Sequence, residues 1–363
     1  MKQGWEIKKL GEVCESDLGK TLNQSTDTGE LQPYLCAINV LWDKIELSTV
    51  KQTRFEKSEM QRYFVRKGDL LICEGGDIGR AAIWDKEEPM LYQNALHRVR
   101  FDGSVLPRFC LLYLRSLKDA GILDSRYGKG VTIKHLVKSS LLSIPIPVPP
   151  ISEQERIVEE LDLLSGIIEK QKQQLKEYDT LAQSIFYTMF GDPITNEKGW
   201  EVRKVIDVVK MQRGFDLPVQ DRDNEGVIPI YGSNGVIGLH STYKAESGII
   251  TGRSGTLGEV YSSNKPFWPL NTTLFSVDTH GNDVVYLKYL MRNFHLERFK
   301  AGAGVPTLNR NEFHNEFIPN IPITLQQEFA SKIETIEKQK ELIKQSLAET
   351  ETLFNSRMDY YFN

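Results

Sequence analysis

One stretch of the sequence constrains the fold more than any other, a proline-free run between Pro150 and Gly191. Apolar residues recur in it at steps of four and three, with Gln171 as a polar exception. Such a heptad seam is typical of a helix that packs along another helix, and about 40 residues at about 1.5 Å each predict a length of about 60 Å. The alternative is one amphipathic helix on a globular core, although core helices are usually shorter. The seam positions are Ile157, Leu161, Leu164, Ile168, Leu175, Tyr178, Ala182, Ile185 and Met189.

A second stretch, residues 323–363, carries a similar seam that Lys340 and Thr350 interrupt. The two stretches align when Gln154 is matched with Gln327. Because either helix alone would leave its apolar stripe in water, we expect the two helices to pair. The second seam consists of Phe329, Ile333, Ile336, Ile343, Leu347 and Phe354.

Three apolar residues of the first stretch, Leu163, Ile167 and Phe186, lie off its seam. Pairing of the two helices would leave these side chains in water. Burial of such surface stabilises by roughly 25 cal/mol per Å². We therefore expect a further protein partner to cover this side of the helix.

The rest of the chain repeats itself in order. GWEIKKL at 4–10 returns as GWEVRKV at 199–205, and GKGV at 128–131 returns as GAGV at 302–305. Between them, a β-rich run followed by a glycine turn occurs at 68–79 and again near 248–258. A repeat of this order predicts a tandem duplication of one supersecondary plan. Short strands, glycine turns and one helical stretch per copy predict an α+β fold with segments 1–150, 151–190, 191–322 and 323–363.

Charge and cysteine content narrow the class of protein. The chain has a formal net charge of −4, but residues 1–150 carry 22 Lys and Arg against 19 Asp and Glu, whereas residues 151–190 carry 4 against 8. The acidity thus lies mostly on the two predicted long helices, which permits a DNA-facing surface elsewhere. The four scattered cysteines predict free thiols in a reducing cytoplasm, and neither a signal peptide nor a membrane span is expected.

Four motifs in this order resemble a known family: Trp-Glu-x-x-x-Leu at 5–10, Gly-Asp-Leu-Leu-Ile at 68–72, Gly-x-Gly-Val at 128–131, and Ile-Pro-x-Pro-x-Pro-Pro-Ile-x-Glu-Gln at 144–154. Duplicated along the chain, they resemble the specificity subunit of type I restriction-modification systems. The second copy departs from the pattern, because its exit lacks the double proline.

The resemblance implies two target recognition domains, each followed by a long spacer helix. It implies that the two helices pair as an antiparallel coiled coil with internal pseudo-two-fold duplication. Each domain would read one half of a split sequence in double-stranded DNA. The helices would seat two modification (methyltransferase) subunits, which restriction subunits join. The resemblance also implies a non-catalytic chain without a cofactor of its own, while the partner subunits use S-adenosylmethionine, ATP and Mg²⁺.

The residues agree with a non-catalytic function. Adenine methyltransferases resemble one another in an Asn/Asp-Pro-Pro-Tyr/Phe box, and this sequence does not contain it. It also shows no phosphate-loop pattern and no histidines at metal-ligand spacing. The glycine turns at 75–79 and 255–258 are interpreted as tight turns, with nucleotide-phosphate binding as the alternative. Two other function classes stay open: a self-sufficient DNA-modifying enzyme, and a coiled-coil scaffold with ligand-binding modules and no DNA function.

Candidate DNA contacts are polar and basic residues on or beside the glycine-rich turns. Arginine suits phosphates and guanine edges, and asparagine suits adenine edges. For each residue, an ordinary solvated surface function is the alternative. The candidates in the first copy are Lys20, Asn39, Arg54, Arg80, Lys129, Thr132, Lys134 and His135. Those in the second copy are Arg213, Tyr231, Ser233, Asn234, Arg253, Thr256, Asn309 and Arg310.

Overall fold

A computed structural model of the chain describes residues 4–23, 28–223, 225–302 and 306–362. These residues form two compact units. Unit 1 combines Met1–Lys170 with Leu347–Asn363, and unit 2 comprises Gln171–Ser346. Each unit therefore contains a globular part and one half of each long helix, so the helices are shared between the units and do not form separate segments.

Unit 1 contains short strands, three short helices and parts of two long ones. Its strands are β1 (Glu6–Lys9), β2 (Cys14–Leu18), β3 (Glu30–Leu35), β4 (Val40–Leu41), β5 (Lys44–Ile45), β6 (Lys51–Phe55), β7 (Phe64–Val65), β8 (Leu70–Cys73), β9 (Ala81–Ile83), β10 (Met90–Tyr92), β11 (Leu96–Phe101) and β12 (Pro145–Val148). Its helices are α1 (Lys57–Arg62), α2 (Pro107–Asp119), α3 (Lys138–Leu142) and the first half of α4 (Ile151–Phe190). Short 3₁₀ or π turns cover Leu10–Glu12, Ala37–Asn39 and Leu123–Tyr127.

Strand β8 lies at the centre of unit 1, and all four of its residues are buried. It belongs to the antiparallel sheet β2-β11-β8-β9, while a second sheet has the order β6-β3-β10-β7. Because side chains alternate along a strand, Leu70 and Ile72 face the core that includes α2, whereas Leu71 and Cys73 face a second core. This double burial explains the continuous apolar run of the motif at 68–72.

Unit 2 follows a related plan. Its strands are β13 (Val202–Lys204), β14 (Lys210–Arg213), β15 (Ile228–Gly232), β16 (Gly235–His240), β17 (Gly248–Gly252), β18 (Val260–Ser263), β19 (Trp268–Pro269), β20 (Thr273–Asp278), β21 (Lys300–Ala301), β22 (Thr307–Leu308) and β23 (Phe317–Pro319). Its helices are α5 (Val205–Val208), α6 (Val284–Asn293), α7 (Arg310–His314) and the first half of α8 (Ile323–Phe362). Two sheets have the orders β14-β20-β17-β18 and β16-β15-β19. Helix α6 ends at Asn293; the left-handed backbone of His295, whose φ is +53°, follows it and leads into a 3₁₀ turn.

The Trp-Glu motif of each copy pairs with the proline-rich exit of the same copy. Strand β1 runs antiparallel to β12, and β13 runs antiparallel to β23. Each globular part is thus closed where the chain passes into a long helix. The Gly-x-Gly-Val repeat of the second copy cannot be compared, because residues 303–305 lie outside the described residues.

The long helices touch in both units. In unit 1, Arg357 of α8 forms an ion pair with Glu160 of α4, and the Glu160 carboxylate accepts a hydrogen bond from the Tyr361 hydroxyl at 2.6 Å. In unit 2, Lys340 donates to the Asp179 carboxylate at 2.7 Å. Gln171, the polar exception in the seam, donates to the Ser346 hydroxyl at 2.9 Å. Polar seam positions therefore meet polar partners on the other helix.

Most seam residues lie in the two main cores, whereas Leu175 and Ile343 are only half-buried. The expectation for Phe186 is wrong: this off-seam side chain is 0% exposed, because α6 covers it, and Ile185 beside it is half-buried. The buried seam residues are Ile157, Leu161, Leu164, Ile168 and Phe354 in unit 1, with Leu347 packed against them, and Phe329, Ile333 and Ile336 in unit 2.

A buried glutamine near the start of each long helix joins it to its globular part. Gln154 accepts a hydrogen bond from the Leu106 backbone N–H at 2.8 Å, and its amide nitrogen donates to the Ser104 and Pro149 carbonyls, each at 2.8 Å. The counterpart of Gln154 is Gln326, which is 1% exposed, so the match with the exposed Gln327 is wrong by one position.

The bonds of Gln326 repeat those of Gln154. Its amide oxygen accepts from the Asp283 backbone N–H at 2.9 Å, and its nitrogen donates to the Ile321 carbonyl and the Asn282 side chain. Leu106 and Asp283 are the residues directly before α2 and α6. In both units one amide therefore bonds the long helix to the start of the main domain helix.

Candidate nucleic-acid interface

A cleft of about 460 Å³ in unit 2 brings together four of the predicted DNA contacts. Arg213 ends β14, Arg253 follows β17 directly, and Asn309 precedes Arg310 at the start of α7. None of the described residues that line the cleft carries a carboxylate. Its polar lining consists of Arg213, Arg253, Thr307, Asn309, Arg310 and Asn311.

Backbone hydrogen bonds hold the segments of this cleft together. The N–H of Arg253 donates to the Thr272 carbonyl at 2.8 Å, and the Arg253 carbonyl accepts from the Leu308 N–H at 2.7 Å. Just before Arg253, a Cβ on Gly252 would lie 1.9 Å from the Thr256 carbonyl oxygen. The turn therefore requires glycine at 252, which explains the glycine signal there and fixes the backbone position of Arg253.

The electrostatics of the cleft favour an anionic ligand. Within the part of the chain that the structure describes, the Arg253 and Arg310 side chains have no ion-pair or hydrogen-bond partner, whereas Arg213 forms a long ion pair with Asp216 at 3.9 Å and donates to the Asn271 carbonyl at 3.4 Å. Burial, with Arg310 as a further cause, lowers the pKa of His314, so this neighbour adds no positive charge at neutral pH. Guanidinium groups without counter-ions, such as those of Arg253 and Arg310, are well suited to phosphate oxygens, which they can bind through two parallel hydrogen bonds.

Asparagine adds a second kind of recognition chemistry to the cleft. Asn309 caps α7 by accepting from the Asn311 N–H at 3.2 Å, and its amide nitrogen donates to Glu312 at 2.8 Å. Asn311 was not among the predicted contacts. Because the Asn309 amide is engaged in this cap, Asn311, which follows Arg310 in the sequence, is the cleft asparagine suited to pair with a base edge.

A hairpin lies next to the same turn. Ser233 and Asn234 form the two-residue loop between β15 and β16, and an ideal Cβ on Gly255 would lie 3.4 Å from the Ser233 hydroxyl oxygen. Thr256 in that turn is exposed. Tyr231 is half-buried among aromatic rings, and burial raises its pKa. The hairpin thus brings Ser233, Asn234 and Thr256 together, while the half-buried Tyr231 packs against a core cluster.

In unit 1 four of the eight candidates lie on one closed loop. The backbones of Lys129 and His135 exchange two hydrogen bonds, at 2.9 and 2.8 Å, and Thr132 and Lys134 lie between them. This loop, residues 129–135, contacts the glycine turn through a bridge between His135 and Gly75. The backbone bonds therefore hold two lysines, a threonine and a histidine, all predicted from the glycine-rich segment, on one short loop.

Arg54 and Arg80 lie elsewhere in unit 1. The exposed Arg54 side chain on strand β6 donates to the Gly29 carbonyl at 2.9 Å. The Arg80 guanidinium donates to the Ala37 carbonyl at 2.7 Å and is half-buried. These contacts orient both guanidinium groups towards the protein backbone.

Burial contradicts the predicted DNA contact for two residues. Lys20 is 4% exposed, and its ammonium group donates to the Glu59 carboxylate at 2.7 Å. Asn39 is 0% exposed, and its amide bonds the backbones of Cys36 (2.9 Å) and Glu46 (3.0 Å). Both side chains stabilise the fold of unit 1 and do not reach a surface ligand.

A larger cavity of about 800 Å³ in unit 2 lies between α4 and α6 and contains none of the predicted residues. Its charges have both signs, with Arg292 near Glu259 and Glu297. Among residues 4–23, 28–223, 225–302 and 306–362, no group of three His, Cys, Asp or Glu side chains has the geometry of a metal site. Over the same residues, no helix combines the length and the apolar character that crossing a bilayer requires.

Comparison with known proteins decides the family. Residues 2–177 and 197–352 each match the family model described as the type I restriction modification DNA specificity domain. The chain belongs to this family. It is a type I restriction-modification specificity subunit, and both copies of the internal repeat carry the specificity domain.

Two solved structures are similar to this specificity subunit in fold. The S subunit of the type I restriction-modification system from M. genitalium aligns with a TM-score of 0.64 over 98% of this chain and 95% of that one, at 15% identity. A chain from a study of complex assembly and conformational transition of the type I R-M system aligns with a TM-score of 0.62 over 100% and 98%, at 18% identity. The α+β fold is therefore that of known specificity subunits.

Curated relatives carry the same family name. The MjaIX specificity subunit from Methanocaldococcus jannaschii is 24% identical over 60% of this chain and 54% of its own length. The putative specificity subunit S.HindORF215P from Haemophilus influenzae is 26% identical over 43% of this chain and 39% of its own. In these alignments the chain spans about half or less of the relatives' length.

Proposed function

We propose that this chain reads a split target in double-stranded DNA, with one half-site bound by each unit, and that it catalyses no reaction. The observation that carries the proposal is the cleft of unit 2, where Arg213, Arg253 and Arg310 converge beside asparagine amides. Phosphate contacts from arginine fix the register of a protein on DNA, and amides and guanidinium groups read base edges. The basic loop 129–135 is the corresponding candidate in unit 1.

The same proposal gives the long helices an assembly function. Glu160 with Arg357, and Asp179 with Lys340, support an antiparallel coiled coil, since partner numbers on α8 fall as numbers on α4 rise. Pairing leaves Leu163 65% exposed on α4. Other apolar side chains exposed on these helices are Ile167, Leu181, Leu342 and Leu353.

Exposed apolar side chains of this number are typical of a protein-binding surface. In our proposal they seat two modification subunits, which restriction subunits join in the cytoplasm, and the repeated plan reflects a pseudo-two-fold duplication. S-adenosylmethionine, ATP and Mg²⁺ belong to those partners. We expect the isolated chain to be poorly soluble and a modification subunit to rescue it. A well-behaved monomer without affinity for such a subunit would contradict this part of the proposal.

A domain exchange tests the two-reader model. Residues 200–317 are replaced by the equivalent segment of a relative, and methylated sites are mapped in DNA from cells that also carry the modification subunit. One half-site should change and the other should stay the same, because the contacts of unit 1 are retained. If both half-sites changed together, the two units would not read independently.

Charge variants test the cleft itself. Arg253→Gln and Arg310→Gln in the complex should weaken DNA binding and reduce the slope of log K against log [salt] by about 1 for each phosphate that is no longer neutralised. Arg203→Gln serves as the matched control, because that arginine is 52% exposed on β13 and pairs with Glu201. Equal effects of all three substitutions would show a general charge effect and not a DNA site in the cleft.

A further inference from the structure

Loop 129–135 of unit 1 presents apolar side chains to water at its tip. Val131 is 100% exposed and Ile133 is 61% exposed. Single exposed apolar residues are common on protein surfaces. Two of them within a five-residue turn that is closed by backbone hydrogen bonds require a more specific explanation, because the turn could expose polar residues at the same positions without loss of its bonds.

The loop is built to hold this tip away from the core. Gly130 has a φ of +109°, and a Cβ there would lie 2.3 Å from the Ile133 carbonyl oxygen. At the base, the Leu136 N–H donates to the Glu74 carbonyl at 2.6 Å, and the Leu136 carbonyl lies 2.7 Å from Nε2 of His97. Leu136 itself is fully buried. A buried anchor and a glycine-dependent turn thus fix the direction in which Val131 points.

The charge around the tip is positive. The sequence from Ser125 to Ser152 contains Arg126, Lys129, Lys134 and Lys138 but no Asp or Glu. Loop 129–135 and the residues on either side of it therefore carry only basic formal charges.

Three carboxyl groups lie near the base. Those of Asp77 and Asp124 are both bound by Lys118 at 2.8 Å, and burial raises the pKa of Glu74, whose carboxyl interacts with His135. An apolar tip between lysines suits a surface with phosphates at its edges and apolar base atoms between them. It suits an acidic protein groove less well, because such a groove would leave both tip side chains opposite charged groups.

We propose that Val131 contacts a base of the half-site read by unit 1 and thereby determines specificity at one base pair. The inference rests on the proposed DNA-reading function and adds an apolar contact to it. DNA offers such a contact at the thymine methyl group in the major groove, and apolar side chains can also enter a base step. Lys129 and Lys134 would then bind the flanking phosphates, so the loop combines positioning and reading in one turn.

The test compares Val131→Ala with wild type in the complex of the full chain and its modification subunit. Mapping of methylated sites should show relaxed identity at one base pair of the half-site assigned to unit 1, with discrimination there reduced on the order of tenfold. The other half-site should be unchanged. Val227→Ala is the matched control, since Val227 is an exposed valine of unit 2, 84% accessible.

A second measurement separates base contact from phosphate contact. Val131→Ala should leave the slope of log K against log [salt] unchanged, whereas Lys129→Ala and Lys134→Ala should each reduce it by about 1. Unchanged methylation sites in an assembled Val131→Ala complex would overturn the proposal. Loss of binding to the modification subunit in this variant would also overturn it, because the tip would then be a protein contact. If wild type itself shows no sequence-selective methylation, the proposed function fails first.

Discussion

In both units the same kind of hydrogen bond joins a long helix to the globular part. The contact between the two long helices, in contrast, differs between unit 1 and unit 2. Gln154 and Gln326 make corresponding hydrogen bonds in unit 1 and unit 2. Across the helix pair, unit 1 uses a polar group of Glu160, Arg357 and Tyr361. Unit 2 combines the Lys340–Asp179 ion pair with edge-on contacts of Phe186 and Phe190 on α4 with Phe329 on α8. The difference indicates that a geometric requirement at the start of the helix is strict, whereas the helix contact can be made with either chemistry.

The aromatic contact of unit 2 should show the largest effect. Phe186 is fully buried and lies within 6.5 Å, between ring centroids, of Phe190, Tyr286, Tyr289 and Phe329. Phe186→Ala should lower the free energy of unfolding by about 3–5 kcal/mol, because it leaves a cavity. Urea unfolding with hydrogen exchange should locate the loss in unit 2.

The matched control for this variant is Leu181→Ala, which truncates a side chain that is 46% exposed on the same helix. Its effect should stay within about 0.5 kcal/mol. Equal losses for the two variants would mean that α6 does not cover Phe186 in solution.

The shared glutamines should give the next largest effect. Gln154→Leu or Gln326→Leu leaves buried backbone groups without partners, which costs about 1–3 kcal/mol for each variant. Gln327→Leu is the control, because that neighbour is exposed. Thermal unfolding should show similar losses for the two buried positions and almost none for the control. Unequal losses at 154 and 326 would break the equivalence of the two units.

Acid should weaken unit 1 through His97. Burial lowers the pKa of this histidine from 6.5 to about 4. Its Nδ1 has no hydrogen-bond partner among the described residues, so protonation in the fold is unfavourable. Because the unfolded state binds the proton first, the stability is complete above about pH 6.5 and is lost as pH falls towards 4, by about 2 kcal/mol at pH 5. His97→Gln should flatten the profile of unfolding free energy against pH between 4 and 7, and an unaltered profile would contradict this assignment.

The polar helix contact of unit 1 should give the smallest effect. Arg357 and Glu160 are both about 30% exposed, with side-chain values of 29% and 31%. Arg357→Met should therefore change the free energy of unfolding by at most about 1 kcal/mol, and less at high salt. Lys332→Met, which removes an ion pair within α8 of unit 2, is the comparison. A loss as large as that of Phe186→Ala would show that the polar contact is as important as the aromatic one.

Sequence alone predicted the features that depend on local patterns. The heptad seams predicted both long helices, and the glycine turns predicted the position of Arg253, because Gly252 and its neighbours must approach another backbone closely. Four of the candidate residues, Arg213, Arg253, Asn309 and Arg310, line one cleft, and their contact with DNA stays a prediction. Lys20 and Asn39 were misplaced because their partners, Glu59 and Glu46, are brought to them by the fold and leave no local signal.

The two wrong predictions about the long helices, for Gln327 and Phe186, have a similar origin. Two adjacent glutamines, 326 and 327, are equivalent in sequence, and the helix phase alone decides which one is buried. Phe186 lies off the seam because its cover is α6, a helix more than 90 residues later in the chain, between Val284 and Asn293. A heptad seam predicts only the side chains that face one partner helix. Side chains that pack against a third element, such as α6, are therefore missed.

Unit 1 is built from two segments that lie far apart in the sequence, and this has a consequence for biosynthesis. Its core includes Phe109 from the first third of the chain and Phe362 from its last helix, with ring centroids 5.4 Å apart. The ribosome must therefore make all of Gln171–Ser346 before the segment that begins at Leu347 can complete the first unit. At 5–20 residues per second this interval lasts on the order of ten seconds or more. During that time Ile157 and Leu161 on the nascent chain lack the C-terminal cover, so a chaperone or an early-bound partner subunit would have its greatest effect then.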